Sequence, residues 1–273
     1  SMKRLLNTLA LSAASLLLGC TLHVQTSGQT AAPQAPAPQK KTTNLNVAIL
    51  LFEGVQIIDY TAPYEVLGQA HVGGEHLFNV YTVAEREGPI TTAMGMTVVP
   101  KYTFANMPKA EVLLLPGGGV DPHLENPKVI KWVQETAAGA DHVLSVCNGA
   151  FYLGKAGLLD GLTATTFYGL IDELRRLAPK AKVVTDRRFA DNGKIVTTAG
   201  LSSGIDGALH LIEKLAGRGK AQEVALNLEY NWQPDVPYAR ASFADRHLRK
   251  IIGRRGFNLP DGTSFKVLGQ QGD

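Results

Sequence analysis

The sequence predicts an α/β fold, a doubly wound, mainly parallel sheet with helices on both faces. Three observations predict it. From Asn46 onward, short apolar runs alternate with segments of helical spacing, the pattern of strands joined by crossover helices. The strand runs are apolar throughout instead of alternating, as strands covered on both faces are. Reactive and glycine-rich stretches directly follow strand runs, where open parallel sheets place their chemistry.

The elements follow in order. NVAILLF (46–52) is the first buried strand, and YEVLGQAHV (64–72) has helical spacing after Pro63, which suits a first-turn position. LFNVYTVA (77–84) is the next strand and MTVVP (96–100) a short one in an irregular stretch. EVLLLPGGG (111–119) is a third long apolar run, stopped by Gly117, Gly118 and Gly119. NPKVIKWVQETAAG (126–139) is a helix with Pro127 at its start, Gly139 at its stop and Trp132 on its core-facing stripe. HVLSV (142–146) is a buried strand opened by His142, and a helical pattern resumes after Cys147-Asn148-Gly149. TATTF, a helix over 170–178, a hairpin-like VVTDRRFADNGKIVTTA, a long helix from Ser202 to Gly217 and a last one from Lys220 to about Tyr230 complete the domain.

The ends read differently. Lys3 and Arg4 precede an apolar run, Leu5 to Leu18, that is too short for a membrane span and has the layout of an export signal. It closes on Leu17-Leu18-Gly19-Cys20, similar to a bacterial lipoprotein box. The expectation is a signal over 1–20, lipidation of Cys20, and a protein tethered to the cell envelope and facing the periplasm. The alternative is a plain cleaved signal and a soluble exported protein. Residues 21–44, rich in Pro, Ala, Gln and Thr without apolar periodicity, form a solvated spacer, and His23 within it has no role. The folded domain is placed at 45–235, with a basic extension over 236–273. Within that extension ADRHLRKIIGRRGF (244–257) carries Leu248, Ile251 and Ile252 at helical spacing. This reads as a helix packing its apolar face on protein, or alternatively as a contact for anionic lipid heads.

With 45% hydrophobic residues, 19% charged and a mean hydropathy near zero, the chain has an ordinary globular composition. The formal charge of +3 falls by two once Lys3 and Arg4 leave with the leader, so charge makes no case for nucleic acid as a partner. If Cys20 carries lipid, Cys147 has no intramolecular partner, and an unpaired thiol in an exported protein is a candidate reactive group. The rival reading is a buried cysteine acting as a small hydrophobe.

Cys147 sits where a strand turns into a helix, the arrangement of a nucleophile elbow, and the helix start favours its thiolate. An accessible, low-pKa thiol is therefore expected. The glycines after the third strand run offer backbone N–H groups to a developing oxyanion, or serve only a tight turn. Ser202 and Ser203 begin a helix; the first reading is capping and the second is substrate contact. His210 falls four residues after Asp206, a helix-face pair in preference to a metal site, because no third ligand is in view.

Four stretches together resemble the ThiJ/PfpI superfamily, whose fold is that of the class I glutamine amidotransferases and is flavodoxin-like. They are LLLPGGG, SVCNGAFYLGKAGLLDG, TTAGLSSGIDGALHLIE and GVQIIDYTAPYEVL, the last similar to the acidic loop of the isonitrile hydratase-like branch. The resemblance covers about residues 46–232, in order. It implies Cys147 as nucleophile and Asp59 as the acidic partner contacting its thiol, the two sharing a proton. It implies Gly118 and Asn148 as backbone donors at the oxyanion position, and a homodimer. Gly117 and Ser202 are further candidates for substrate contact, and the chemistry requires no metal or organic cofactor. The chain departs from the family in having Asn148 where many relatives have histidine or threonine, and Phe167 where regulatory relatives have histidine. No histidine matches a Cys–His triad, which turns the expectation away from protease, amidase and glyoxalase chemistry. The forty or so residues after Pro234 are too few for the DNA-binding domain of the regulators. The expected function is a cysteine-dependent hydratase, lyase or hydrolase acting on a small electrophilic carbon. The alternative is a non-catalytic ligand-binding or redox-sensing module.

Overall fold

The computed structural model describes residues 42–236 and a short antiparallel strand pair, Phe257–Asn258 with Ser264–Phe265. The leader with Cys20, most of the spacer and most of the basic extension lie outside the described residues.

In chain order the principal elements are β1 (Leu45–Leu50), α1 (Ile57–Gly68), β2 (Phe78–Ala84), β3 (Tyr102–Thr103), β4 (Val112–Leu115), α2 (Pro127–Gly139), β5 (His142–Ser145), α3 (Ala150–Lys155), α4 (Ile171–Leu177), β6 (Phe189–Asp191), β7 (Ile195–Thr198), α5 (Ser203–Ala216) and α6 (Arg218–Asn227). Seven strands form one sheet in the order β6-β7-β5-β4-β1-β2-β3. Every pairing in it is parallel except β6 with β7, the hairpin at one edge. This is the flavodoxin-like α/β architecture expected from the alternation of elements.

The continuous apolar runs are continuous because both faces are covered. Every residue of β4 and β7 is buried. Helix α1 packs beside α5, and α2 and α4 each pack against α3, so each buries one stripe. Trp132 is 7% exposed and stacks on Phe104 at 4.2 Å between ring centroids, as its place on the apolar stripe of α2 required. Asn126 caps that helix, its side chain accepting from the Lys128 N–H at 3.0 Å.

The strand expected at 96–100 is only Thr97–Val98, paired outside the main sheet, one edge of which is Tyr102–Thr103 instead. The first helix also departs from expectation. Helix α1 begins at Ile57, not after Pro63, and holds Pro63 in its interior. Proline there removes an N–H that would bond back to Asp59. Burial of Asp59, Tyr60, Pro63, Val66 and Leu67 on one side of the helix outweighs that loss.

From β1 the chain moves outward to β2 and β3, then returns to β4 on the other side of β1. Strand order thus reverses between β1 and β4, and the segments leaving their carboxyl ends diverge there. Asp59 follows β1 and the triple glycine follows β4, while Cys147 follows the adjacent β5. Topology alone brings the three loops together.

Candidate active site

Cys147 leaves β5 with φ +57°, an uncommon backbone conformation for a residue with a side chain. A 3-10 turn, Cys147–Gly149, leads into α3. The turn is held from below: the Cys147 N–H donates to the Ala199 carbonyl at 3.1 Å, and Thr166 Oγ1–H donates to the Cys147 carbonyl at 2.8 Å. A strained residue braced on both sides of its peptide is what an elbow requires.

Asp59 lies in the first turn of α1, fully buried. Its Oδ2 accepts the Gly117 N–H and its Oδ1 the Leu201 N–H, both at 3.1 Å. Leu201 also has a positive φ, +55°, so a second strained residue aims its N–H at this carboxyl. The third partner is the Cys147 thiol. Burial, the largest influence, pushes the Asp59 carboxyl from 3.8 up to about 7, against the two N–H donors and the thiol, which favour the carboxylate. The Asp59–Cys147 contact expected from resemblance is therefore present, with the carboxyl poised to hold or release a proton near neutrality.

The thiol itself corrects the expectation of an accessible, low-pKa group. Cys147 is 8% exposed, and burial, followed by the Asp59 charge, pushes its pKa well up, opposed by the Asn148 N–H at the sulfur. The helix that follows is only six residues long and begins as a 3-10 turn, so its dipole has little with which to offset desolvation.

The glycine loop also differs from expectation. None of its three N–H groups is left facing outward: Gly117 donates to Asp59, Gly119 to the Gly54 carbonyl at 2.9 Å, and Gly118 to Asn148 Oδ1 at 2.9 Å. Asn148 returns the contact, its Nδ2–H donating to the Gly118 carbonyl at 2.9 Å. A Cβ placed on Gly117 would stand 2.2 Å from Asn148 Oδ1, 2.8 Å from Asp59 Oδ2 and 2.8 Å from Cys147 Cβ. Only glycine lets these three groups meet over the loop.

Ser202 occupies the N-cap position of α5 but makes no capping bond. Its hydroxyl accepts from Arg188 Nη2 at 3.2 Å instead. Arg188 Nε also donates to Asp206 Oδ2 at 2.6 Å, and the Tyr230 hydroxyl donates to the same oxygen at 2.9 Å. The pairing of His210 with Asp206 is accordingly absent. His210 lies between Asp191 (2.9 Å) and Glu213 (3.2 Å), stacked on Phe189. Arg188, Thr166, Leu201 and the Asn148 side chain were missed from sequence. Arg188 and Leu201 act through turns that no local pattern announces; the threonine pair before Phe167 was the one legible signal. Phe167 itself packs on Gly200 of the turn that reaches Asp59. Among the described residues no helix is long and apolar enough to cross a membrane.

The model of the DJ-1/PfpI family matches residues 45–214. The chain belongs to the DJ-1/PfpI family. Within it the chain is similar to an isonitrile hydratase of Pseudomonas putida, 39% identical over 199 residues, 72% of this chain and 83% of that protein. This places it in an isonitrile hydratase-like branch of a family that includes such an enzyme. A helix-turn-helix transcriptional regulator of Pseudomonas aeruginosa is 26% identical over 64% of this chain and 52% of its own length. Among solved structures, a ThiJ/PfpI family protein from Pseudomonas syringae superposes with a TM-score of 0.65 at 24% identity, covering 83% of this chain and 94% of that one. Drosophila melanogaster DJ-1beta gives 0.62 at 22% identity, over 70% and 100%. These two likenesses concern the fold.

Proposed function

We propose that this DJ-1/PfpI member is a cysteine-dependent hydratase acting on a small electrophilic carbon, with an isonitrile as the first substrate to test. The observation that carries the reading is the buried Asp59 carboxyl, held near neutral pKa in contact with the Cys147 thiol. As carboxylate, Asp59 takes the thiol proton while sulfur bonds to the terminal carbon of R–N≡C, and the same proton then passes to that carbon, giving a thioimidate. Water adds across the C=N bond, its oxygen to carbon and a proton to nitrogen. The C–S bond breaks as the hydroxyl proton returns through Asp59 to sulfur, releasing an N-substituted formamide. The first adduct carries no oxygen, so it makes no demand on the N–H of Gly118. The likeness to isonitrile hydratase supports this choice.

A second reading, a non-catalytic ligand-binding or redox-sensing module, is favoured by a specific observation: at rest the thiol is buried, undissociated and covered by a loop whose N–H groups are engaged. The resting geometry on its own stands nearer to this second reading. Turnover separates the two. Formamide production from alkyl and aryl isonitriles is expected in the wild type, abolished in Cys147→Ala and reduced about 10²-fold or more in Asp59→Asn, the usual worth of a positioned acid or base. A wild type with no turnover removes the enzyme reading, and an activity that survives both substitutions removes Cys147 and Asp59 as its machinery.

An envelope location through lipidated Cys20 belongs to the same proposal and rests on the Lys3-Arg4, Leu5–Leu18 and Leu-Leu-Gly-Cys pattern. Expression with the leader in a bacterium, followed by mass spectrometry, is expected to find residues 1–19 removed and a diacylglyceryl group on Cys20. An unmodified Cys20 in a fully soluble product overturns the tether.

A further inference from the structure

The side chain of Asn148 makes a closed two-point ring with Gly118. Oδ1 accepts the Gly118 N–H and Nδ2–H donates to the Gly118 carbonyl, each at 2.9 Å. Exchanging the amide oxygen and nitrogen would set donor against donor and acceptor against acceptor, so the orientation is determined by its partners. Asn148 is 7% exposed and directly follows Cys147 in the turn. A Cβ on Gly117 would approach both its amide oxygen, at 2.2 Å, and the Cys147 Cβ, at 2.8 Å, so the two face the same point over the loop. A carbonyl oxygen thus already sits on the loop N–H nearest in kind to an oxyanion donor.

We propose that Asn148 is a specificity-determining residue. Its side-chain amide stands in for a substrate oxyanion at the Gly118 N–H, and so selects against ester and amide electrophiles at Cys147. When a thiolate adds to an ester, sulfur bonds to the carbonyl carbon and the π pair moves onto oxygen. That oxygen needs an N–H donor aimed at it before the intermediate collapses and expels the alcohol. Here the Gly118 donor is satisfied, which leaves only the Asn148 N–H of the two that resemblance implies. Freeing the Gly118 N–H breaks two hydrogen bonds in a buried site. An electrophile whose first adduct bears no oxyanion does not meet this barrier, and an isonitrile is one. Relatives with a residue that cannot bridge to the loop would lack the discrimination.

This inference rests on Cys147 being the reactive thiol, and its probe is independent of isonitrile turnover. The full chain is treated in parallel with p-nitrophenyl acetate, which acetylates the thiol through an oxyanion and releases p-nitrophenolate, and with iodoacetamide, which alkylates it by displacing iodide through no oxyanion. Each rate is read by mass spectrometry on the Cys147 peptide, separately from Cys20. Alkylation corrects for access and for thiolate fraction. Asn148→Ala is expected to raise the ratio of acetylation to alkylation about 10-fold or more, since one oxyanion donor is commonly worth 10²–10³ in rate. Asn148→Asp keeps an acceptor on the Gly118 N–H and is expected to leave the ratio at or below that of the wild type. Should the alanine variant not fold, Asn148→Ser, too short to bridge to Gly118, carries the same expectation. A ratio within twofold of the wild type in the shortened variant, or an equal rise in the aspartate variant, overturns the proposal. If isonitriles are not substrates while the ratio rises, the hydratase reading falls and this one stands.

Discussion

Asp59 is the residue on which stability and chemistry pull in opposite directions. Burial holds its carboxyl near 7 instead of 3.8. The folded chain therefore keeps a proton that the unfolded chain has already released. Between about pH 4 and pH 7 the native state binds more protons than the unfolded state, so stability falls as pH rises through that window and levels off above it. At 1.36 kcal/mol per unit the loss reaches about 4 kcal/mol. The Cys147 thiol is also displaced upward, which extends the decline beyond the pH where a free thiol ionises. Asp59→Asn removes the first of these losses, so urea unfolding should show the variant gaining on the wild type by several kcal/mol between pH 4 and pH 8. A constant difference across that range would show that the carboxyl is ionised in the folded state.

At the scale of elements, the contact between the elbow and strand β4 sets the geometry. A Cβ on Gly149 would lie 2.0 Å from the Leu115 carbonyl oxygen and 2.8 Å from its carbon. Neither belongs to a flexible side chain, so the elbow and the strand end would have to separate. Gly149→Ala is expected to cost about 3 kcal/mol as overpacking, lowering the melting temperature by roughly 6–12 °C. Differential scanning calorimetry checks it; an unchanged midpoint would mean the turn has slack. Strands such as β1, β4 and β5 were legible because both-face burial writes continuous apolar runs. The start of α1 was not. Its first turn, Ile57 to Tyr60, contains an aspartate and precedes a proline, which reads locally as a loop, and only packing against α5 makes it helical. Ser202 shows the same limit: a serine before a helix reads as a cap, yet Arg188, fourteen residues upstream, takes its hydroxyl.

At the scale of the molecule, the hydrophobic core among the described residues runs from Leu45 to Trp232. Residues 1–41 read as a leader and a polar spacer. A chain lacking them keeps the Asn44 N–H bond to the His76 carbonyl, so it is expected to unfold at the same midpoint and to react at Cys147 with iodoacetamide at the same rate. A shifted midpoint or rate would show that the amino-terminal segment supports the domain. The order of the sheet, reversing between β1 and β4, is what gathers residues 59, 117–118, 147 and 201 from four separate stretches.

Strand and helix periodicity, the glycine stop after β4 and the cysteine at a strand-to-helix junction are local features, and the sequence by itself determined them. Each depends on residues within one or two turns of chain. The closeness of Asp59 to Cys147 was reachable only through resemblance to a family, because 88 positions separate them. The burial that pushes both groups of the pair upward, the engagement of the Gly118 N–H by Asn148 and the strained turn at Leu201 were decided by tertiary structure alone. Desolvation and hydrogen-bond competition depend on what surrounds a group in space, and a linear pattern of residue types does not carry that information.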